Sequence, residues 1–481
     1  MYASRFLLVL LVAALVRDTF AADQPRMNLI AIVTDDQAEW SLGCYGNKES
    51  ITPNMDRLAK EGARFANAYT VTPVCSASRA SYMTGLWNTQ LAITDWIAPN
   101  EQHAGVGLPE GTIIWPKVLQ QNGWTTALVG KWHLGEKPHN VPGKIGFDHF
   151  YGFLGGGNTP MNPTYDFPDG PKKISGYGGD LLTEEAIRWI GEQKEKPFVL
   201  CLHFREPHLP YGPVPAVDHE ALKNLDPTVP QLKGLDIPQV KGWTRDYYAA
   251  IHSVDRNMGR LFEFLEKQGL WEKTIVSFTS DHGYNIGHHM IHTKGNGYWV
   301  AGGVNGPKRP NMWDTSVRVP WMVRWPGVVK PGTVVEQPVQ NLDTFATMLG
   351  MLGAPLPKKS KQLGKDLSSL LRGESSAPPH EVIFGQYDLH NSGLAYLRMV
   401  RTDRWKYVKH FHENLMDELY DIQADPGETK NLINMRKATK ENVREVIAGL
   451  RAKLTVWQKS INDPVLSEPR LMDYEVTEDK E

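Results

Sequence analysis

The segment Met27-Asn28-Leu29-Ile30-Ala31-Ile32-Val33 is apolar at nearly every position and closes on Thr34-Asp35-Asp36. Polar residues do not recur at every second position, so neither face of such a strand can meet water. It reads as a central parallel strand, buried on both sides. The runs 125–129, 197–202 and 274–279 have the same character. Helical patterns separate them, including 247–267 with its 3.6-residue apolar period, and a helix from Thr52 to Ala66 with Thr52 as cap and Pro53 in the first turn. Strands alternating with helices give an α/β fold: a large parallel or mixed sheet sandwiched by helices.

At 481 residues the chain exceeds a single small core, which suggests a large domain with a smaller one appended. The composition shifts at 373–379, rich in Gly, Ser and Pro, and beyond it lie short alternating runs at 382–387, 394–402 and 405–411 and a helix at 443–460. We expect a smaller C-terminal antiparallel sheet plus helix subdomain over 376–481, with a flexible tail, after a catalytic α/β domain over 23–375. Residues 1–22 read as a signal peptide: Arg5, an apolar stretch at 6–16, then Thr19-Phe20-Ala21-Ala22 as a small-residue cleavage site. The protein is therefore expected to be exported, periplasmic or secreted, with no integral membrane segment after signal removal. A net charge of -2 argues against nucleic acid as a partner. Three cysteines are too few for a disulfide-stapled scaffold, and Cys44 and Cys201 could pair or stay buried.

In open parallel sheets, ligands bind outside the carboxyl ends of the strands. Asp35 and Asp36 follow the first strand, Lys131 and His133 the second, His208 the third, and Asp281 and His282 the fourth. Asp35, Asp36 and Asp281 offer three carboxylates for a hard divalent cation, with His282 a further donor. Taken singly, the Asp-Asp pair could also be a cap or solvated turn, and Asp281-His282 a turn before Gly283. Pro73 precedes a helix-compatible run at 76–86, so Cys75 is expected at a helix N-terminus, where N–H groups and the dipole favour an anion. Arg79 lies one turn further on the same face, a placement suited to a tetrahedral oxyanion ester. A buried free Cys with an Arg on a solvated face is the plainer alternative.

The stretch Cys75-Ser76-Ala77-Ser78-Arg79, continued by Ala80-Ser81-Tyr82-Met83-Thr84-Gly85, resembles the signature of the sulfatase family, part of the alkaline phosphatase superfamily. In that family the Cys is oxidised to formylglycine. Ala77 stands where the family most often has Pro, within a Cys-x-(Pro/Ala)-x-Arg element that the maturation enzyme reads. The hydrated aldehyde carries one hydroxyl to attack sulfur and another to expel sulfate. The segment 123–133 resembles the second family signature, which assigns Lys131 to the sulfate oxygens and His133 to the formylglycine hydrate. Pro207-His208-Leu209-Pro210-Tyr211 matches the segment whose His touches the leaving oxygen, and Lys294 matches the late active-site Lys. The resemblance further implies one calcium ion (Ca2+) held by Asp35, Asp36, Asp281, His282 and the group made from Cys75. Segments at 400–407, 418–421 and 425–428 resemble the family's closing elements, so the resemblance spans nearly all of the mature chain.

What this implies is a secreted, calcium-dependent sulfatase acting on a sulfated carbohydrate and dependent on a formylglycine-generating or equivalent enzyme. A phosphonate or phosphodiester hydrolase of the same superfamily, and a glycan-binding homologue that is never matured, are the alternatives. Specificity is expected to lie in loops such as 154–173 and 295–312.

Overall fold

Eight strands build the main sheet: β1 (Asn28–Thr34), β2 (Ala63–Phe65), β3 (Thr125–Lys131), β4 (His149–Phe153), β5 (Phe198–His203), β6 (Thr274–Ser280), β7 (Trp321–Arg324) and β8 (Thr333–Val335). Their order is β8-β2-β7-β6-β1-β5-β3-β4. Only β7 runs against the rest, so the sheet is mixed. The computed structural model describes residues 26–467 except 194–195, 301–307, 375–378, 392, 412–415 and 435–439. The segment 1–22, the boundary at 375/376 and the tail beyond 467 lie outside the described residues.

Every residue of β1 is buried, because both of its faces are covered. Ile30 and Ile32, with Leu200, Leu202, Val276 and Phe278, face helices α1 (Pro53–Glu61), α4 (Gly178–Glu192) and α5 (Ile237–Lys267). Leu29, Ala31 and Val33 face the opposite way with Val199, Cys201 and Ile275, toward α3 (Trp115–Gln121) and α6 (Thr344–Leu352). Burying each large aliphatic side chain contributes roughly 1.5–3 kcal/mol, so a polar residue on either face of β1 would be costly. Between these helices in sequence lies α2 (Cys75–Thr84), all ten residues of which are buried.

Three elements depart from expectation. Helix α1 ends at Glu61, not at Ala66, because the chain must pass close to β7: a Cβ at Gly62 would lie 2.2 Å from the Val323 carbonyl oxygen. Residues 63–65 then pair with β7 and β8 as β2. Helix α5 starts earlier than 247, at Ile237, where the Asp236 carboxylate accepts from the Gln239 N–H and Pro238 sits in the first turn. The C-terminal sheet has β9 (Ile383–Leu389), β10 (Ala395–Arg401), β11 (Trp405–His410) and a fourth strand, β12 (Glu418–Asp421), too short and polar to show alternation.

That sheet is an antiparallel meander. Helix α7 (Lys440–Ser460) packs Leu450, Leu454 and Trp457 against Val400, Tyr407 and Leu419 on one face. The other face, with Tyr387, Leu397, Met399 and Val408, packs on Tyr69, Val74 and Ala77. The C-terminal sheet thus covers the start of α2. Among the described residues, no helix is long and apolar enough to cross a membrane. Cys44, Cys75 and Cys201 are all free thiols.

Candidate active site

Helix α2 begins at Cys75, with Val74 in extended geometry before it and Gly85 in the left-handed region (φ 67°) after it. Its small residues let four neighbours close in. Ser76 Oγ accepts from the Ile97 N–H at 2.9 Å; Ser78 Oγ meets Thr70 Oγ1 at 2.7 Å and Asn341 Nδ2 at 2.9 Å, and donates to the Asp281 carbonyl. Through Asp281, these contacts fix the helix start beside the carboxyl end of β6.

The sequence-selected residues all meet there. Lys294 Nζ lies 2.9 Å from Cys75 Sγ and 2.6 Å from Asp36 Oδ1. Lys131 Nζ is 2.5 Å from Asp35 Oδ2, and Arg79 Nε is 3.0 Å from Asp281 Oδ2, with Arg79 Nη2 3.6 Å from Asp35. Cys75 Sγ is 3.5 Å from Asp35 Oδ1 and 3.4 Å from His282 Nε2, which is itself 3.2 Å from Asp36 Oδ1. His133 Nε2 donates to the Ile97 carbonyl at 3.0 Å, and Nδ1 has no hydrogen-bond partner among the described residues. His208, less enclosed than the others, has Nδ1 2.6 Å from the Leu209 carbonyl and Nε2 3.8 Å from Asp36 Oδ2.

Asp36 (φ 70°), His133 (φ 58°) and Thr293 (φ 81°) hold left-handed backbone conformations that L side chains rarely adopt, and all three line the same cavity. Strain of this kind collects at functional sites. The cavity measures about 360 Å³, with Cys75, Lys294 and His133 among its buried lining, the more exposed His208 nearer its mouth, and Trp96 and Tyr298 also lining it.

Burial alone would raise the Cys75 thiol, yet Lys131 and Lys294 hold it well below its ordinary value. Burial opposes charge on Lys294 as well, but Asp36 and Cys75 keep it strongly cationic. His133 is pushed down by burial and then by Lys131, so its imidazole is neutral. Asp281 is raised by burial and by Asp35, to about 6. His282 would fall on burial, but Asp281 lifts it to about 9.

Asp35, Cys75, Asp281 and His282 bring ligand atoms within 4.8 Å of one another, as do Asp35, Asp36, Cys75 and His208. Burial and then Asp35 raise Asp281, while Lys131 and Arg79 hold Asp35 low against burial and Cys75, so the three enclosed carboxylates stand beside three cations, Arg79, Lys131 and Lys294. Three carboxylates with His282 beside them make an oxygen-rich donor set that fits a hard divalent cation.

Several contributors escaped sequence reasoning. His203 ends β5, with Nδ1 3.2 Å from the Lys131 carbonyl and 3.4 Å from Arg79 Nη1; the strand-end rule that found Lys131 could have found it. Ile97 acts through its carbonyl and Gly156 through its missing side chain, since a Cβ there would lie 2.5 Å from His133 Cε1. No residue pattern announces either.

A mixed sheet with a cysteine, cations and carboxylates gathered at its carboxyl edge is the framework of the sulfuric ester hydrolases. The sequence matches the sulfatase family over residues 27–354, and the C-terminal family of N-sulphoglucosamine sulphohydrolase over 307–460; the chain belongs to the sulfatase family. It is 29% identical to the steryl-sulfatase of Rattus norvegicus over 83% of this chain and 80% of that protein. It is 27% identical to the N-acetylglucosamine-6-O-sulfatase of Bacteroides thetaiotaomicron over 91% of this chain and 88% of that one. A protein solved with its substrate D-glucosamine-2-N,6-O-disulfate shares the fold, with TM-score 0.78 and 24% identity over 91% of this chain and 98% of the other. The protein is a sulfatase that hydrolyses sulfate esters.

Proposed function

We propose that this sulfatase is exported, removes sulfate from a sulfated carbohydrate, and works through formylglycine made from Cys75 beside a bound calcium ion. The observation that carries the reading is Cys75 itself: it starts a buried helix at the base of a cavity, with Lys294 Nζ at 2.9 Å and Lys131 and Arg79 close behind. The cations that hold the thiol low are also those that a bound sulfate needs. The N-acetylglucosamine-6-O-sulfatase among the relatives and the aromatic walls of the cavity support a sugar substrate. Export rests on the signal-like segment 1–22, and the catalytic and C-terminal units on 23–375 and 376–481.

Formylglycine at position 75, hydrated, would supply a hydroxyl to attack sulfur and a second to release the sulfate. Calcium, held by Asp35, Asp36, Asp281, His282 and position 75, would polarise the sulfate. Arg79, Lys131 and Lys294 orient the sulfate oxygens and balance the charge that builds as the S–O bond breaks. Neutral His133, its Nε2 proton committed to Ile97, accepts a proton at Nδ1. His208, at the mouth, passes a proton to the leaving oxygen.

The test is sulfate release from a panel of sulfated mono- and disaccharides, with methyl phosphonate esters and phosphodiesters alongside. The wild-type enzyme should desulfate sugars, and Cys75→Ala should not while keeping its fold. Faster turnover of the phosphonate or phosphodiester would overturn the reading, as would activity in Cys75→Ala.

A further inference from the structure

The cavity above Cys75 has two unlike walls. One is apolar, made by Trp96, Ile97 and Pro99. The other, made by Thr293, Asn296, Tyr298 and Lys308, carries polar side-chain groups, two of them without a hydrogen-bond partner among the described residues. Thr293 Oγ1 is buried with no hydrogen-bond partner among the described residues, although its residue is held at φ 81°. The Asn296 side chain, 8% exposed, makes no hydrogen bond among the described residues. Buried polar groups ordinarily find partners, and leaving one without costs on the order of 1–3 kcal/mol. Thr293 Oγ1 is such a group, and the Asn296 amide, open to the cavity, keeps its donors and acceptor for polar ligand atoms.

Lys308 adds charge to that wall. A backbone bridge pairs it with Tyr298, and its ammonium lies 3.5 Å from the centre of the Tyr298 ring. It makes no ion pair among the described residues. Lys294, which also lines the cavity, is committed to Asp36 and Cys75, whereas Lys308 pairs with no carboxylate among the described residues. An ammonium resting on an aromatic face keeps its N–H donors for an anion. The scissile sulfate is already met by Arg79, Lys131 and Lys294, so this cation is surplus to the reaction centre.

We infer that Thr293, Asn296, Tyr298 and Lys308 form a subsite for a second anionic group on the substrate, so that the enzyme prefers sugars bearing a further sulfate or carboxylate beside the ester it cleaves. The apolar wall takes the carbon face of the sugar ring, and Thr293 and Asn296 take its hydroxyl groups. This rests on the carbohydrate reading above and narrows it to polyanionic saccharides.

The test is competition against 4-nitrophenyl sulfate turnover by matched sugars. The first set compares glucosamine and galactose monosulfates with their disulfates. The second compares sulfated disaccharides with and without a uronic acid. The readout is the ratio of inhibition constants within each pair, which does not depend on basal rate. In the wild-type enzyme a second anion should tighten inhibition by about tenfold in at least one pair, the worth of a charged hydrogen bond, and less at high salt. Lys308→Met should bring that ratio to one, and Lys308→Arg should keep it. A gain confined to the disulfates assigns the subsite to sulfate, and one confined to the uronic acids assigns it to carboxylate. If no pair shows a gain, or if the gain survives Lys308→Met, the subsite does not exist. If no sugar competes at all while the aryl sulfate turns over, the carbohydrate reading itself falls.

Discussion

Gly156→Ala perturbs the site by a single methyl group. The glycine packs directly on the His133 ring, and a Cβ built there would stand 2.5 Å from Cε1 and 2.6 Å from Nε2. Ordinary carbon contacts begin near 3.5 Å, so the ring would have to retreat by about 1 Å. The 3.0 Å hydrogen bond from Nε2 to the Ile97 carbonyl would then be stretched or lost, and with it the placement of the unpartnered Nδ1. Misplacing a reacting group by about 1 Å costs on the order of 100-fold in rate, or about 2.7 kcal/mol of barrier. Stability should change little, because the site borders a cavity and Gly→Ala at a permitted backbone angle gains about 0.4–1 kcal/mol through the unfolded chain. The assay is single-turnover hydrolysis of 4-nitrophenyl sulfate together with a thermal melt. Gly155→Ala is the control, since its Cβ would meet nothing closer than Gln102 Oε1 at 3.7 Å. A folded Gly156→Ala enzyme running at the wild-type rate would refute the role given to His133.

Chelation should abolish turnover and added calcium should restore it best, because three carboxylates favour a hard ion; Asp281→Asn should raise the calcium concentration needed for half-maximal rate, and full activity in chelator would show the metal site misread. His208→Ala should slow sulfates of sugar alcohols by about 100-fold or more while sparing activated aryl sulfates, whose leaving oxygen needs no proton. Equal losses on both substrates would remove His208 from the acid role.

Much of this was legible in the sequence because periodicity reports burial. The apolar run at 27–33 read as a strand covered on both sides, and the carboxyl-edge rule applied to it and its neighbours located Asp35, Asp36, Lys131 and Asp281. Where the sequence fell short, backbone geometry or distant contacts decided the matter. Helix α1 stops at Glu61 because Gly62 must pass the Val323 carbonyl, a constraint set by a strand more than two hundred residues away. Ile97 holds His133 through a backbone oxygen, and any residue there would supply one. Gly156 serves by what it lacks. The departure at Ala77 is accommodated in α2, where this side chain packs with Tyr387 and Leu397 in one apolar cluster. Lys294, matched by resemblance alone, does reach the site: its ammonium lies within hydrogen-bond distance of both Cys75 and Asp36.

The central claim is that the encoded thiol at position 75 is not the working group. Trypsin cleaves after Arg64 and Arg79, so the peptide 65–79 carries Cys75 as its only cysteine. Its mass should be measured in protein produced together with a formylglycine-generating enzyme, without alkylation and after treatment with a hydrazine probe. The account predicts a peptide lighter than the encoded one by the change from CH2SH to CHO, reactive with hydrazine, in proportion to specific activity. An active preparation in which peptide 65–79 retains the full mass of its cysteine, free to alkylate and inert to hydrazine, would contradict it.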